Sequence, residues 1–283
     1  MKKILSGAIA LLLAATAAQA ADIYQPEPVP MDAPEVTVQS ANGWYLRGDV
    51  GYSFTKLRGA NFYQGGSSAS EASFDRASLR DAFTLGAGVG YQVNNYLRTD
   101  VTFDYLFRSK FNGSTSGDGA AFGACVGPCT SSDRTSMTAY SLLANAYVDL
   151  GTYSYFTPYV GAGIGGTYVK WKDLQNTSCA DNGSGCDATV THGGKGSWRF
   201  TYALMAGASV DITCNLKADI GYRFRHIEGG NMFGYASNGG PGRDKGMYSH
   251  EARLGARYAF NGCDQMAEVD EPAPIQMQPA VYK

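Results

Sequence analysis

Apolar and polar residues alternate with a period of two through eight separate runs of this 283-residue chain, and no other feature constrains its fold as tightly. Between 44 and 54 the even positions are Trp44, Leu46, Gly48, Val50, Tyr52 and Phe54, while the odd ones include Arg47, Asp49 and Ser53. From 96 to 108, Leu97, Val101, Phe103, Tyr105 and Phe107 oppose Arg98, Asp100, Thr102, Asp104 and Arg108. All eight even positions from Trp198 to Ile212 are apolar, against Arg199, Thr201, Ser209 and Asp211. Residues 216–226 set Leu216, Ile220, Tyr222 and Phe224 against Lys217, Asp219, Arg223 and Arg225. Residues 248–260 set Leu254, Tyr258 and Phe260 against Glu251, Arg253 and Arg257. Weaker runs at 82–93, 135–150 and 156–168 carry more Gly and Ala with the same period. A strand turns successive side chains to opposite faces, so each run predicts a strand with one oily and one charged face.

Run length points to the solvent. A tilted strand needs about 9–11 residues to cross a bilayer, whereas soluble strands usually have about 5–6. Connections near 94–95, 151–155 and 213–215 are short, while those at 58–80, 109–134, 169–197 and 229–247 are long and rich in Gly, Ser, Asn and Asp. That asymmetry predicts an all-β fold, an eight-stranded antiparallel transmembrane up-and-down β-barrel of the outer membrane, with the short turns and both termini in the periplasm. A secreted lipocalin-type barrel would share the strand number and the period, with the two faces exchanged.

The content of the polar face separates the two. It carries nine bases (Arg47, Arg98, Arg108, Arg199, Lys217, Arg223, Arg225, Arg253, Arg257) and seven acids (Asp49, Asp100, Asp104, Asp149, Asp211, Asp219, Glu251). Arg dominates Lys, which suits bidentate pairing inside a filled polar lumen better than a water-facing wall. An eight-stranded interior is only wide enough for side chains, so these groups predict an ion-pair core and exclude a broad diffusion pore. Aromatic girdles are expected at Trp44, Tyr96, Tyr155, Phe156 and Tyr258 on the periplasmic side, and at Tyr168, Trp171, Trp198 and Tyr248 on the outer side.

The ends differ from the middle. Lys2 and Lys3, the apolar run from Ile4 to Ala17 and the small-x-small Ala18-Gln19-Ala20 make residues 1–20 a secretory signal peptide, with Ala21 as the mature N-terminus. Residues 21–42 hold four prolines and four acids without a base, and 261–283 hold three prolines and four acids with one lysine. Both read as flexible acidic periplasmic segments around a barrel at 43–260. The formal charge of −2, with its acidic excess in the tails, excludes a general nucleic-acid binder.

Export makes the six cysteines a disulfide question with fifteen connectivities. Cys125 and Cys129 flank Val-Gly-Pro, and Cys179 and Cys186 flank Asp-Asn-Gly-Ser-Gly, so each pair is placed to close a small loop. No CxxC or ligand-spaced His predicts a metal site, and no cofactor is expected. His192 falls in a Gly-rich loop; His226 and His250 take the lipid-facing parity near the outer rim, opposite in parity to Ser249 and Glu251. No catalytic Ser-His-acid set therefore shares a face, and the rim histidines are expected to meet each other or lipopolysaccharide phosphates. Gly86-x-Gly88-x-Gly90 and Gly161-x-Gly163-x-Gly165 lie inside strands, where they leave room for large lumen side chains rather than cradle a nucleotide.

Three segments carry a family resemblance: Gly43-Trp44-Tyr45-Leu46-Arg47-Gly48-Asp49-Val50-Gly51-Tyr52, Thr157-Pro158-Tyr159-Val160-Gly161-Ala162-Gly163-Ile164-Gly165, and Asn215-Leu216-Lys217-Ala218-Asp219-Ile220-Gly221-Tyr222-Arg223. They resemble the small OmpA-type and opacity-type outer-membrane barrels, closest in character to the major outer-membrane antigens of Brucella, Bartonella and the rhizobia, over residues 43–260. The resemblance implies a Gram-negative outer membrane, lipid and lipopolysaccharide surroundings, and insertion by the barrel-assembly machinery. Family barrels commonly end on the aromatic that this machinery reads; here Tyr258-Ala259-Phe260 is followed by 23 more residues. With this topology Cys214 falls in the last periplasmic turn and Cys263 just past the final strand, so these two are expected to pair at one rim and the other two bridges to staple external loops two and three, with pairing across the loops left open.

Members of such families act variously as wall-linked structural proteins, adhesins and antigens. The first expectation is a structural role in envelope integrity, the second adhesion through the four long loops, and the third a narrow, porin-like channel. Relatives whose mature chains begin Ala-Asp are joined through that amine to peptidoglycan, which makes Ala21 and Asp22 the expected attachment site. The Pro-rich leader would then serve as a spacer of about 60 Å if fully polyproline II.

Overall fold

A computed structural model describes residues 42–64, 71–119, 124–236, 239–260 and 262–263. The signal peptide, the leader with Ala21 and Asp22, and the tail beyond 263 lie outside the described residues. Eight strands take up the alternating runs: β1 (Gly43–Leu57), β2 (Ala82–Gln92), β3 (Leu97–Ser114), β4 (Gly127–Asp149), β5 (Phe156–Trp171), β6 (Gly196–Asp211), β7 (Leu216–Ile227) and β8 (Met247–Ala259). Each pairs antiparallel with its neighbours in sequence. Strand β8 pairs with β1, with Tyr45 opposite Ala259 and Leu57 opposite Met247, and this closes the ring. Alternation sorts the side chains as it must in lipid: Val50, Phe83, Ile164, Ile220 and Leu254 are each more than half exposed on the outside, while Arg98, Arg223 and Glu251 are fully buried inside.

The strands run on past the bilayer. Strand β4 has 23 residues, about twice what a crossing requires. Its outer end pairs on one side with Ser116–Gly119 and on the other with Leu174–Ala180, which in turn pairs with Val190–His192. The long connections are therefore built structure and not only loops, as their Gly- and Ser-rich composition suggested. The first and fourth connections form a separate four-stranded sheet in the order Gly230–Phe233, Gly239–Asp244, Ala60–Gln64, Glu71–Ser73. Segments of three to seven residues are too short to display a period, which hid them.

The interior is layered, which corrects the expectation of a polar lumen throughout. Its middle level and the level nearest the short turns are ion-paired. Above them sits an apolar plug that includes Leu57, Leu106, Phe111, Met137, Val169 and Met247 from the strands and Met232 and Phe233 from the fourth connection. Trp171 belongs to this plug and not to the outer girdle: odd positions of β5 point inward, its side chain is 2% exposed, and its ring meets Phe111 edge-on at 5.8 Å. Trp198, 62% exposed, does face outward, with Tyr168 and Tyr140 beside it.

Arg108 is the second correction. Pairing of β3 with β4 slips between Leu106 and Ser109, which face Ala139 and Met137. This β-bulge adds one residue to β3, so Phe107 and Arg108 both point outward before Ser109 and Phe111 resume the inward set. Strict alternation assigns Arg108 to the lumen; one extra residue moves it out.

Candidate functional site

Strand parity delivers the buried charges, and their geometry closes the barrel. At the end of the short turns the Arg98 guanidinium donates to Asp149 at 3.0 Å and lies 4.3 and 4.5 Å from the Tyr147 and Tyr159 ring centroids. Arg257 donates to Asp219 at 2.8 Å. One level up, Arg47 bridges Asp49 and Asp100, both at 2.8 Å, and donates to the Tyr147 hydroxyl at 2.9 Å. Asp100 also accepts from Asn145 at 2.7 Å and from Tyr45 at 3.1 Å. In the middle, Asp104 accepts from Arg223 at 2.8 Å and Arg253 at 3.1 Å, and Arg253 reaches Asp49 at 3.1 Å. Glu251, fully buried, accepts from Arg223, Arg225 and Ser249. Charges so desolvated persist only when paired and hydrogen-bonded together.

Two sequence-selected pairs sit differently. Asp211 and Lys217 bridge at 2.7 Å at the short-turn rim with about a third of each side chain exposed, so they belong to the rim and not to the buried network. Arg199 finds its partner outside the strand pattern: it donates to Asp244 of the fourth connection at 2.7 Å, and the Trp171 indole donates to the same carboxylate at 3.2 Å. Asp244 carries no alternation signal; the surplus of bases over acids on the strand faces was the one hint of it. With Asp244 included, seven buried guanidiniums face seven paired buried carboxylates.

Above the plug, the long connections wall a vestibule of about 1160 Å³. Phe62, Phe74 and Phe233 form its apolar lining and Asp118, Asp133 and Asp187 its acidic one. The His192 ring packs edge-on to Phe233 at 5.1 Å, and its Nδ1 lies 3.1 Å from the Gly234 carbonyl. Disulfides Cys125–Cys129 and Cys179–Cys186 staple neighbouring walls, and the Asp187 carboxylate joins them by accepting from the Ala124 and Cys125 amides at 2.9 and 3.1 Å. Asp75 ties the first connection to the second by accepting from the Ser116 hydroxyl and amide, which holds its carboxyl below the usual range. The third bridge, Cys214–Cys263, lies at the opposite end, beside the short turn between β6 and β7, where Cys263 also donates its amide to Asn215 at 3.0 Å.

The outer wall carries the opposite charge. Lys56, Arg108, Lys110, Arg134, Lys170, Lys172 and Lys245 are all exposed on the side of the long connections. His226 keeps the outward parity expected of it but is 4% exposed and not open to lipid. Arg58 covers it, 3.4 Å from its Nε2 and 5.4 Å from the Tyr248 ring. His250 remains exposed, with Nδ1 2.6 Å from the Tyr222 hydroxyl.

Comparison with known proteins agrees with this geometry. An uncharacterized protein of Brucella abortus is 35% identical over 279 residues, covering 88% of this chain and 95% of its own length. A Rickettsia conorii protein named "Putative adhesin" is 31% identical over 187 residues, covering 65% of this chain and 68% of its own. Among solved structures, the outer membrane protein OprG of Pseudomonas aeruginosa matches with a TM-score of 0.49 at 15% identity, covering 78% of this chain and 97% of that one. The family described as outer membrane protein beta-barrel domain matches residues 7–260. A closed ring of eight antiparallel strands, oily outside and ion-paired within, is what that family's location demands, and the chain belongs to it as an outer-membrane β-barrel protein.

Proposed function

We propose that the protein is a closed, non-catalytic membrane platform that presents a recognition head at the cell surface and acts in adhesion. The observation that carries this reading is the vestibule: its walls are paired strands, tied by two disulfides and shared carboxylates, above a lumen blocked by ion pairs and an apolar plug. A chain needed only to fill membrane, or only to pass solute, has no use for an ordered head on a sealed barrel. The name of the Rickettsia relative supports the same reading. In this orientation the turns and both termini face the periplasm, and the basic outer wall meets lipopolysaccharide phosphates.

Expression in a non-adherent Gram-negative host tests it. Attachment to host cells or matrix is expected, and replacing residues 174–192 by a short Gly-Ser turn should abolish it while the heat-modifiable band of the folded barrel persists. Attachment that survives this replacement sinks the proposal. Covalent linkage of Ala21 to peptidoglycan stays a separate proposal from the resemblance, through which the protein would also support envelope integrity. It predicts a muropeptide on the Ala21 peptide after muramidase digestion.

A further inference from the structure

We propose that the vestibule binds protonated alkylamines, supplied either by a free polyamine or by lysine side chains of a polypeptide. The inference rests on reading the head as a recognition surface. Its starting point is Asp133. Of the eight acids buried among the described residues, seven touch a guanidinium, whereas Asp133, 2% exposed, accepts only from the Ser131 hydroxyl at 2.5 Å and the Asn176 amide at 2.7 Å. Asp133 is thus the one buried carboxylate among the described residues with no cationic partner, and it lines the vestibule. Asp118 and Asp187 add two more carboxylates, and among the described residues no Lys or Arg lines the space. Residues 65–70, 120–123 and 237–238, outside the described residues, contain no ionisable side chain.

The surrounding bases face away: Arg134, the next residue along from Asp133, takes the outward parity and is exposed, as are Lys170 and Lys172. Low-dielectric walls focus the negative field of such a cup onto whatever enters it. The packed rings of Phe62, Phe74 and Phe233 put aromatic and apolar surface in the same lining, suited to the methylenes between ammonium groups. His192 lines the same space, and because a carbonyl can only accept, its Gly234 contact places a proton on Nδ1. No group of three His, Cys, Asp or Glu among the described residues is gathered closely enough to hold a metal ion. Dispersed carboxylates with aromatic surface between them fit an extended cation with spaced charges. The volume, about 1160 Å³, lies just above the range of about 300–1,000 Å³ usual for small-molecule sites and admits a polyamine or a short basic peptide.

Titration calorimetry on the full chain in lipid nanodiscs tests this, with spermidine and a lysine-rich peptide as probes and their N-acetylated forms as controls. Saturable binding that disappears on acetylation is expected, weakened at least about tenfold by Asp133→Asn. Asp118→Asn, an exposed change that does not threaten folding, should weaken it less, and keeps the test decisive if Asp133→Asn loses its heat-modifiable band. Tighter binding of spermidine assigns a free polyamine; tighter binding of the peptide assigns a protein partner. Absence of saturable binding, equal binding of the acetylated probes, or an affinity unchanged in both folded variants overturns the proposal. Any of these with cell attachment intact removes the ligand class alone and leaves the recognition reading standing.

Discussion

Glu251 shows what a single residue does in this interior. It is fully buried and accepts from Arg223, Arg225 and Ser249, so removing its charge leaves two desolvated guanidiniums short of a partner. Glu251→Gln is expected to cost about 3–5 kcal/mol, read as a lower urea midpoint of the protein refolded in vesicles; an unchanged midpoint would contradict the paired-lumen account. Gly90 answers to a different constraint. A Cβ there would collide with the Tyr45 ring, whose hydroxyl is bonded to Asp100, so Gly90→Val should cost about 1–3 kcal/mol, read as a drop in the same midpoint. At this scale the inward Arg and Asp residues of the strands were legible, because parity alone assigns a face. Asp244 was not: a residue of a connection has no parity until the chain has folded it back over the barrel.

Elements were legible in proportion to their length. Eight long runs announced eight strands, whereas the short outer strands are visible only through the partners that hydrogen-bond them. The bulge in β3 marks the limit of counting by twos. Deleting Arg108 should restore unbroken alternation from Leu106 through Phe111, keep Phe111 in the plug and change stability by less than about 1 kcal/mol. Deleting Thr102 instead turns every later side chain of β3 before the bulge to the wrong face and should abolish folding. The two deletions are compared by band shift on unheated gels, and failure of the Arg108 deletion to fold would show that the bulge itself is required.

The whole molecule behaves as two layers with different supports. Ion pairs and the apolar plug occupy the lumen, so planar bilayers are expected to show no nanosiemens steps, and their appearance would return the protein to the channel class. The head depends more on its staples. Cys125–Cys129 and Cys179–Cys186 span only four and seven residues, so reduction should loosen the vestibule walls and not the barrel. Trypsin added to reduced cells is expected to cut at Lys172 and Lys195 while the membrane-embedded fragment stays heat-modifiable. Equal protection before and after reduction would show that strand pairing, not the disulfides, holds the head together.

By itself the sequence determined the strand number, the solvent and which face of each strand carries charge. Alternation is a local property, and a bilayer enforces it on every residue of a crossing. Only the tertiary structure decided how the charges pair across the lumen, that Asp244 and Trp171 turn inward, that Arg108 turns outward, and that the long connections enclose a negative cup. Each of these depends on which distant segments meet, and a period of two contains no information about that.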